Sequence, residues 1–276
     1  MTRRWRPRYV VMLLVLVPVI LVDVFPLIVM VSTSLKTQQE VYVQPPTFIP
    51  RAPTLQNYLD IWNVAPLATY FQNSVILGAG EMALALLLAI PAGYALARFR
   101  FHGRRAYLLF LMVIQIFPPV VIILALYRLV ATLGLTDNLG TLIVLDTVFS
   151  LSFDIWLLTS YFASVPVEIE EAAMMDGNSR LGAMLRMSVP LAAPGIVAVA
   201  IFSFIEGWNE FLFALTFIRS SDKYPLTLGL FKYVSRYQVE WHQLLASGLL
   251  ATIVVVVLFM FVQRQLTRGL IAGAER

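Results

Sequence analysis

Cysteine is absent from this 276-residue chain, which excludes a disulfide framework and any thiolate metal site. Charge is scarce as well. Asp, Glu, Lys and Arg together make 13% of the sequence, where a soluble globular domain carries roughly 25%. Histidine occurs only at His102 and His242, both in expected loops. No His-Glu-x-x-His run and no Ser–His pairing at span depth exists, which argues against an intramembrane enzyme. No Gly-x-x-x-x-Gly-Lys-Ser/Thr loop is present, so this chain has no P-loop for ATP.

What the chain has instead is apolar surface. Hydrophobic residues make 59% of it, and mean hydropathy is +0.81. Six runs stand out, at 9–31, 71–97, 106–131, 139–163, 194–218 and 244–263. Each is close to the roughly 20 residues that a bilayer-spanning helix needs. In lipid a segment must pair its own backbone groups, so the expected fold class is an all-α polytopic membrane protein with six spans, in one domain over 1–276. Arg3, Arg4, Arg6 and Arg8 precede the first run as in a signal peptide. That run is long enough to span and no small-x-small site follows it, so it is expected to stay.

Lys and Arg set the orientation. The N-terminus, the second-to-third loop, the fourth-to-fifth loop and the tail share 13 of them, against 7 on the other side. Both termini are therefore expected in the cytoplasm. The first outer segment, 32–70, holds Pro45, Pro46, Pro50, Pro53 and Pro66, too many for a long helix. A short helix over 54–62 fits there, capped by Thr54, with Leu55, Tyr58, Leu59 and Trp62 on one face.

The fourth-to-fifth loop, 164–193, is polar and structured. Ser164 or a neighbour caps a helix whose first turn takes Pro166, with Glu168, Glu170 and Glu171 at its positive end. Ala172 and Ala173 leave a low surface for close approach. Gly177 suits the left-handed residue that ends a helix. A second helix, 179–187, is expected to stop ahead of Pro190. Connections between helices usually run about 2–8 residues, so this length points to docking rather than a plain connector.

The run Pro166-x-Glu168-Ile169-Glu170-Glu171-Ala172-Ala173-x-x-Asp176-Gly177, followed by Val189-Pro190-Leu191 and Pro194-Gly195, resembles the Glu-Ala-Ala loop of ABC importer permeases. The family ends this pattern in Ile-x-Leu-Pro, where the chain has Met187-Ser188-Val189-Pro190. Ser34-Leu35-Lys36, Asn57-Tyr58, Gln72-Asn73-Ser74, 93–99, Trp208-Asn209-Glu210-Phe211 and 269–274 resemble the maltose-type branch, its shorter, MalG-like subunit. The likeness covers almost the whole chain. It implies the type I ABC importer permease fold and a sugar as cargo. It implies, as partners, a second permease in a heterodimer, two ATPase subunits that bind ATP and Mg, and an extracytoplasmic sugar-binding protein. This chain itself would bind no cofactor, metal or nucleic acid. The loop would be the coupling element that sits in the ATPase, through Glu168, Glu170, Glu171, Ala172, Ala173, Asp176, Gly177 and Arg180. The tail, at Gly269, Leu270 and Gly273, would reach the ATPase interface. The cell membrane of a prokaryote is the implied location.

Ionisable residues inside spans default to functional candidates. Here they are Asp23, Glu81, Asp146, Asp154, Glu206 and Glu210. Glu206-Gly207-Trp208-Asn209-Glu210 is the densest such cluster, read as a gate or as helix–helix contact at the pore or subunit interface, with sugar contact through Trp208, Asn209 and Glu210 as the alternative. Gln115 precedes Phe117-Pro118-Pro119, a proline-broken stretch of the third run. An ion-coupled carrier using buried carboxylates is the competing function, but no inverted repeat supports it.

Overall fold

The computed structural model describes residues 7–234 and 239–274, and the side chains of 7–13, 15 and 261–274 lie outside that description. The tail expectation at Gly269, Leu270 and Gly273 falls among those side chains, and Arg3, Arg4 and Arg6 lie outside the described residues altogether. Among the described residues the regular structure is helical, and the only β pairing is one isolated bridge between Val234 and Val239.

The helices in chain order are α1 Pro7–Ser34, α2 Gln38–Val41, α3 Gln56–Val64, α4 Leu67–Arg98, α5 Arg104–Ile116, α6 Ile123–Thr132 and α7 Leu139–Ser164. They continue as α8 Val167–Met175, α9 Arg180–Ala183, α10 Val189–Leu191, α11 Ala193–Trp208, α12 Leu212–Phe217, α13 Leu226–Gly229 and α14 Trp241–Ala274. Five stretches among the described residues are long and apolar enough to cross a membrane: Leu16–Ser34, Leu67–Arg98, Leu139–Ser164, Ala193–Phe217 and Trp241–Met260. Four of the six runs read from sequence are thus continuous helices of spanning length, and a fifth, 194–218, spans with an interruption at 209–211.

The third run departs from a single helix. Phe117 turns extended at φ −79° and ψ 115°, and Pro118 and Pro119 follow without N–H donors, so the run is split into α5 and α6. Neither piece alone has the length of a span.

Two compact units are present. One comprises the described residues up to Ala65 with Leu230–Ile253, the other Pro66–Gly229 with the rest of α14. In the first unit, α3 begins after Leu55, and the Thr54 hydroxyl accepts from Gln56 N at 3.1 Å rather than capping the helix deeper in. The apolar face named from the sequence is not the one turned inward. Asn57 and Ile61 are buried, whereas Leu55, Leu59 and Trp62 are exposed. The reason is polar: Asn57 Nδ2 donates to Ser34 O at 2.7 Å and to Lys36 O at 2.8 Å, which fixes the inward side. Buried Glu40 accepts from Arg51 N at 2.7 Å and Thr47 Oγ1 at 3.2 Å. The backbone donor of Arg51 holds its carboxyl below the usual range.

In the second unit, α4, α7 and α11 form the core. Ala89, Ile155, Leu158, Phe162 and Val199 are buried there together. Small residues set the separation. A Cβ at Gly93 would sit 2.8 Å from Leu158 Cβ, and one at Gly207 would sit 2.9 Å from Gly78 Cα. Without a hydrophobic driving force in lipid, such close backbone approach supplies helix association through van der Waals contact.

Candidate functional site

The loop 164–193 is built as two short helices around a tight turn. Ser164 does not cap α8. Its hydroxyl donates back to Tyr161 O at 2.7 Å, because α7 runs through to Ser164. Pro166 takes the N-cap position, where its missing N–H is no loss. At the other end, Gly177 adopts φ +89°. Gly177 N donates to Met174 O and Asn178 N to Ala173 O, both at 3.1 Å, which is a Schellman closure.

Ser179 caps α9, its Oγ accepting from Gly182 N at 3.1 Å. The second helix then continues past Pro190, contrary to the sequence expectation. One π turn, Met184–Ser188, explains this. It moves the hydrogen-bond register so that Pro190 opens a fresh turn, where no donor is needed.

Glu170 turns inward and organises the loop. Arg98 Nε and Nη2 each lie 2.7 Å from Oε1, and Tyr94 OH donates to Oε2 at 2.8 Å. Ser188 Oγ also donates to Oε1. Arg98 Nη2 further donates to Val165 O at 2.9 Å. The carboxylate therefore joins the end of α4, the start of α8 and the π turn. Burial alone pushes its pKa up, but the donors from Ser188, Tyr94 and Arg98 outweigh that and leave it lowered. Sequence reading used Arg98 as a charge count and missed this pairing. The two residues are 72 apart in sequence, and no local pattern links them.

The remaining residues divide cleanly. Ala173 is buried beneath α8. Glu168, Glu171, Ala172, Asp176, Gly177 and Arg180 are exposed, with Ile169, Met175, Leu181 and Leu185 as exposed apolar neighbours. Met175, at 88% exposure, is the most prominent of these. Arg180 lies over the Phe99 ring, 5.2 Å from its centroid. A pocket of about 340 Å³ beside α8 is lined by Arg98, Arg100, Arg104, Glu170, Glu171 and Arg180.

The intramembrane residues of the 206–210 cluster separate as well. Gln115, Glu206 and Glu210 line a cavity of about 290 Å³, together with Glu81 and Asp146. Trp208 does not. It is buried, edge-on to Phe71 at 5.1 Å and stacked on Phe204 at 6.2 Å. Asn209 is exposed at the break between α11 and α12. Glu210 Oε1 accepts from Phe213 N at 2.5 Å and Ala214 N at 3.0 Å, which caps α12. Asp154 is fully buried and receives Ser203 Oγ at 3.3 Å.

Comparison with known proteins agrees with this architecture. The profile of the family described as "Binding-protein-dependent transport system inner membrane component" matches residues 86–272. The chain is 34% identical to "Inner membrane ABC transporter permease protein YcjP" of Escherichia coli K12, over 93% of this chain and 92% of that protein. It is 35% identical to "Sulfoquinovosyl glycerol transport system permease protein SmoH" of Agrobacterium fabrum, over 90% of this chain and 87% of that one. Its fold superposes with TM-score 0.80 on a chain of a bacterial ABC transporter involved in the import of alginate, at 24% identity, covering 96% of this chain and 98% of that chain.

Proposed function

Because the chain belongs to the family of inner membrane components of binding-protein-dependent transport systems, we propose that it is one of two permease subunits of an ATP-driven sugar importer. It forms half of the pathway in a single permease domain. A second permease forms the other half, two ATPase subunits supply the energy from ATP and Mg, and an extracytoplasmic protein delivers the sugar. Both termini face the cytoplasm, as the distribution of Lys and Arg supports.

The observation that carries this reading is the anchored loop 164–193. Its inner face is fixed by Glu170 on Arg98, Tyr94 and Ser188, while its outer face presents Glu171, Met175, Leu181 and Leu185 unpartnered by the described residues. Such an element transmits force because it moves with α4 rather than bending by itself. ATPase closure pulls on the outer face, and the Glu170–Arg98 link passes the displacement to α4. The substrate class rests on Trp208-Asn209-Glu210-Phe211 and on the sugar-related name of the relative SmoH. The outer segment 32–70 and the loop 219–243, of which 235–238 lie outside the described residues, are the surfaces assigned to the binding protein.

The chain contains no cysteine, so a single introduced thiol reports one position. Met175→Cys in the assembled complex is expected to cross-link to an ATPase subunit, and Ala173→Cys is not, because Ala173 is buried. Cross-linking from neither position, in a complex that contains the ATPase, contradicts docking through this loop.

A further inference from the structure

The cavity between α4, α7, α11 and α12 has an unusual lining. Glu81, Asp146, Glu206 and Glu210 all face it, and no Lys or Arg does. Glu81 is fully buried and Asp146 is 9% exposed. By hydrogen-bond geometry both carboxylate oxygens of Glu81 and Oδ2 of Asp146 lack a partner among the described residues, with Ser150 the polar neighbour of Glu81 and Glu210 that of Asp146. Buried polar atoms are ordinarily paired, and an unpaired buried acid is a costly feature to retain. The fold makes room for it: a Cβ at Gly207 would stand 2.7 Å from Glu81 Oε2, so only glycine lets the carboxylate lie there.

The other walls suit an organic ligand. Phe149, Phe202 and Phe213 contribute rings, and Gln115 and Ser150 contribute an amide and a hydroxyl. Aromatic faces attract cations as well as apolar ring faces. The volume, about 290 Å³, is near the lower end of the roughly 300–1,000 Å³ of small-molecule sites. A bare metal ion does not fit the description. Among the described residues no three acidic or histidine side chains converge to hold one. An organic cation is the class of charged ligand that fits what remains, because it carries its charge on a body large enough to meet the rings as well.

We propose that this cavity binds an ammonium-bearing saccharide, its amine set between Glu81 and Asp146 and its ring against the phenylalanines. The proposal rests on the importer reading and narrows its cargo to amine-bearing sugars. Anionic sugars meet like charge in the same place.

The test is calorimetric titration of the complete transporter in nanodiscs with glucosamine hydrochloride. At about pH 6 the amine is protonated, amino groups of this kind titrating near 8. N-acetylglucosamine, glucuronate and sodium chloride serve as comparators. Glucosamine is expected to bind saturably, with the three comparators at least about tenfold weaker. Glu81→Gln and Asp146→Asn are each expected to weaken glucosamine at least about tenfold while leaving the comparators unchanged. Glu206→Gln, at an exposed rim position, is expected to fold normally and to weaken binding less, which keeps the test sound if a buried variant fails to fold. Equal binding of glucosamine and its N-acetyl form overturns the proposal. So does undiminished glucosamine binding in every variant that folds, or an equal response to sodium chloride, which would make this a free-cation site. Failure of the chain to assemble with an ATPase would count against the importer reading instead. Glucosamine titration of the chain itself would still decide the cavity.

Discussion

Replacing Glu170 by alanine removes the acceptor for Arg98, Tyr94 and Ser188 at once. The largest consequence falls on Arg98, whose side chain is 6% exposed and, among the described residues, keeps only Val165 O as an acceptor. Breaking a buried ion pair from one side costs about 3–5 kcal/mol, because the other charge stays buried. Glu170→Gln keeps an acceptor and is expected to cost about 1.5–3 kcal/mol, the worth of hydrogen bonds to a charged group. The assay is unfolding of the purified chain in mixed micelles, run as a double-mutant cycle with Arg98→Ala. Coupling of about 1–3 kcal/mol is expected. Hydrogen exchange should rise over 165–191 and not over α11. The pH dependence follows from the lowered pKa of Glu170. A carboxylate lowered in the fold stabilises fully above its unfolded value, about 4.3, and loses that contribution as pH falls through the folded one. The gap between wild type and Glu170→Ala should therefore stay constant from about pH 8 to 6 and shrink only below about 4. Additivity of Arg98→Ala and Glu170→Ala within about 0.5 kcal/mol would refute the reasoning.

Other substitutions probe separate parts. Gly177→Val places a β-branched residue at φ +89° and is expected to cost about 1–3 kcal/mol; uptake should fall, and Gly177→Asn should retain more of it. Trp208→Ala empties a buried site between Phe71 and Phe204, with an expected loss of about 3–5 kcal/mol; it should slow transport more than it weakens the binding protein, and the opposite pattern would count against Trp208 as a gate or packing residue. Asp137 accepts from Ser220 Oγ at 2.6 Å and Lys223 Nζ at 2.9 Å. These donors, that of Ser220 foremost, hold its pKa well down. Asp137→Ala should loosen 219–223 equally at pH 8 and pH 6, with the difference vanishing only in strong acid, as limited proteolysis of that loop can show.

Much of this was legible before any coordinates. Apolar length alone marked five of the six expected spans, because lipid makes the backbone pair within its own segment, while the third run is broken into α5 and α6. Gly177 was readable because the left-handed residue closing a helix is a local demand. The departures have separate causes. Ser164 was kept by the end of its own helix α7, the third run was split at Pro118 and Pro119, and Pro190 was judged by local propensity but decided by a register shift. Asn57 turned α3 inward by reaching Ser34 and Lys36. A π turn admitted Pro190. Within the candidate site, the outer face of α8 was visible as residue types. The Glu170–Arg98 anchor was not, since nothing in either segment announces the other. The carboxylate cavity was half visible. Its members were named singly as costly residues in spans, but their convergence depends on packing of α4, α7 and α11 and on the bare Cα of Gly207.

The most direct test of the central claim is ATP hydrolysis by the complex that co-purifies with the tagged chain, with and without the binding protein, in wild type and Glu171→Lys. The account predicts a second permease and a P-loop ATPase in the complex, hydrolysis stimulated by the loaded binding protein, and loss of that stimulation in Glu171→Lys with the chain still inserted. A chain that purifies alone and moves solute in liposomes on an ion gradient would contradict it.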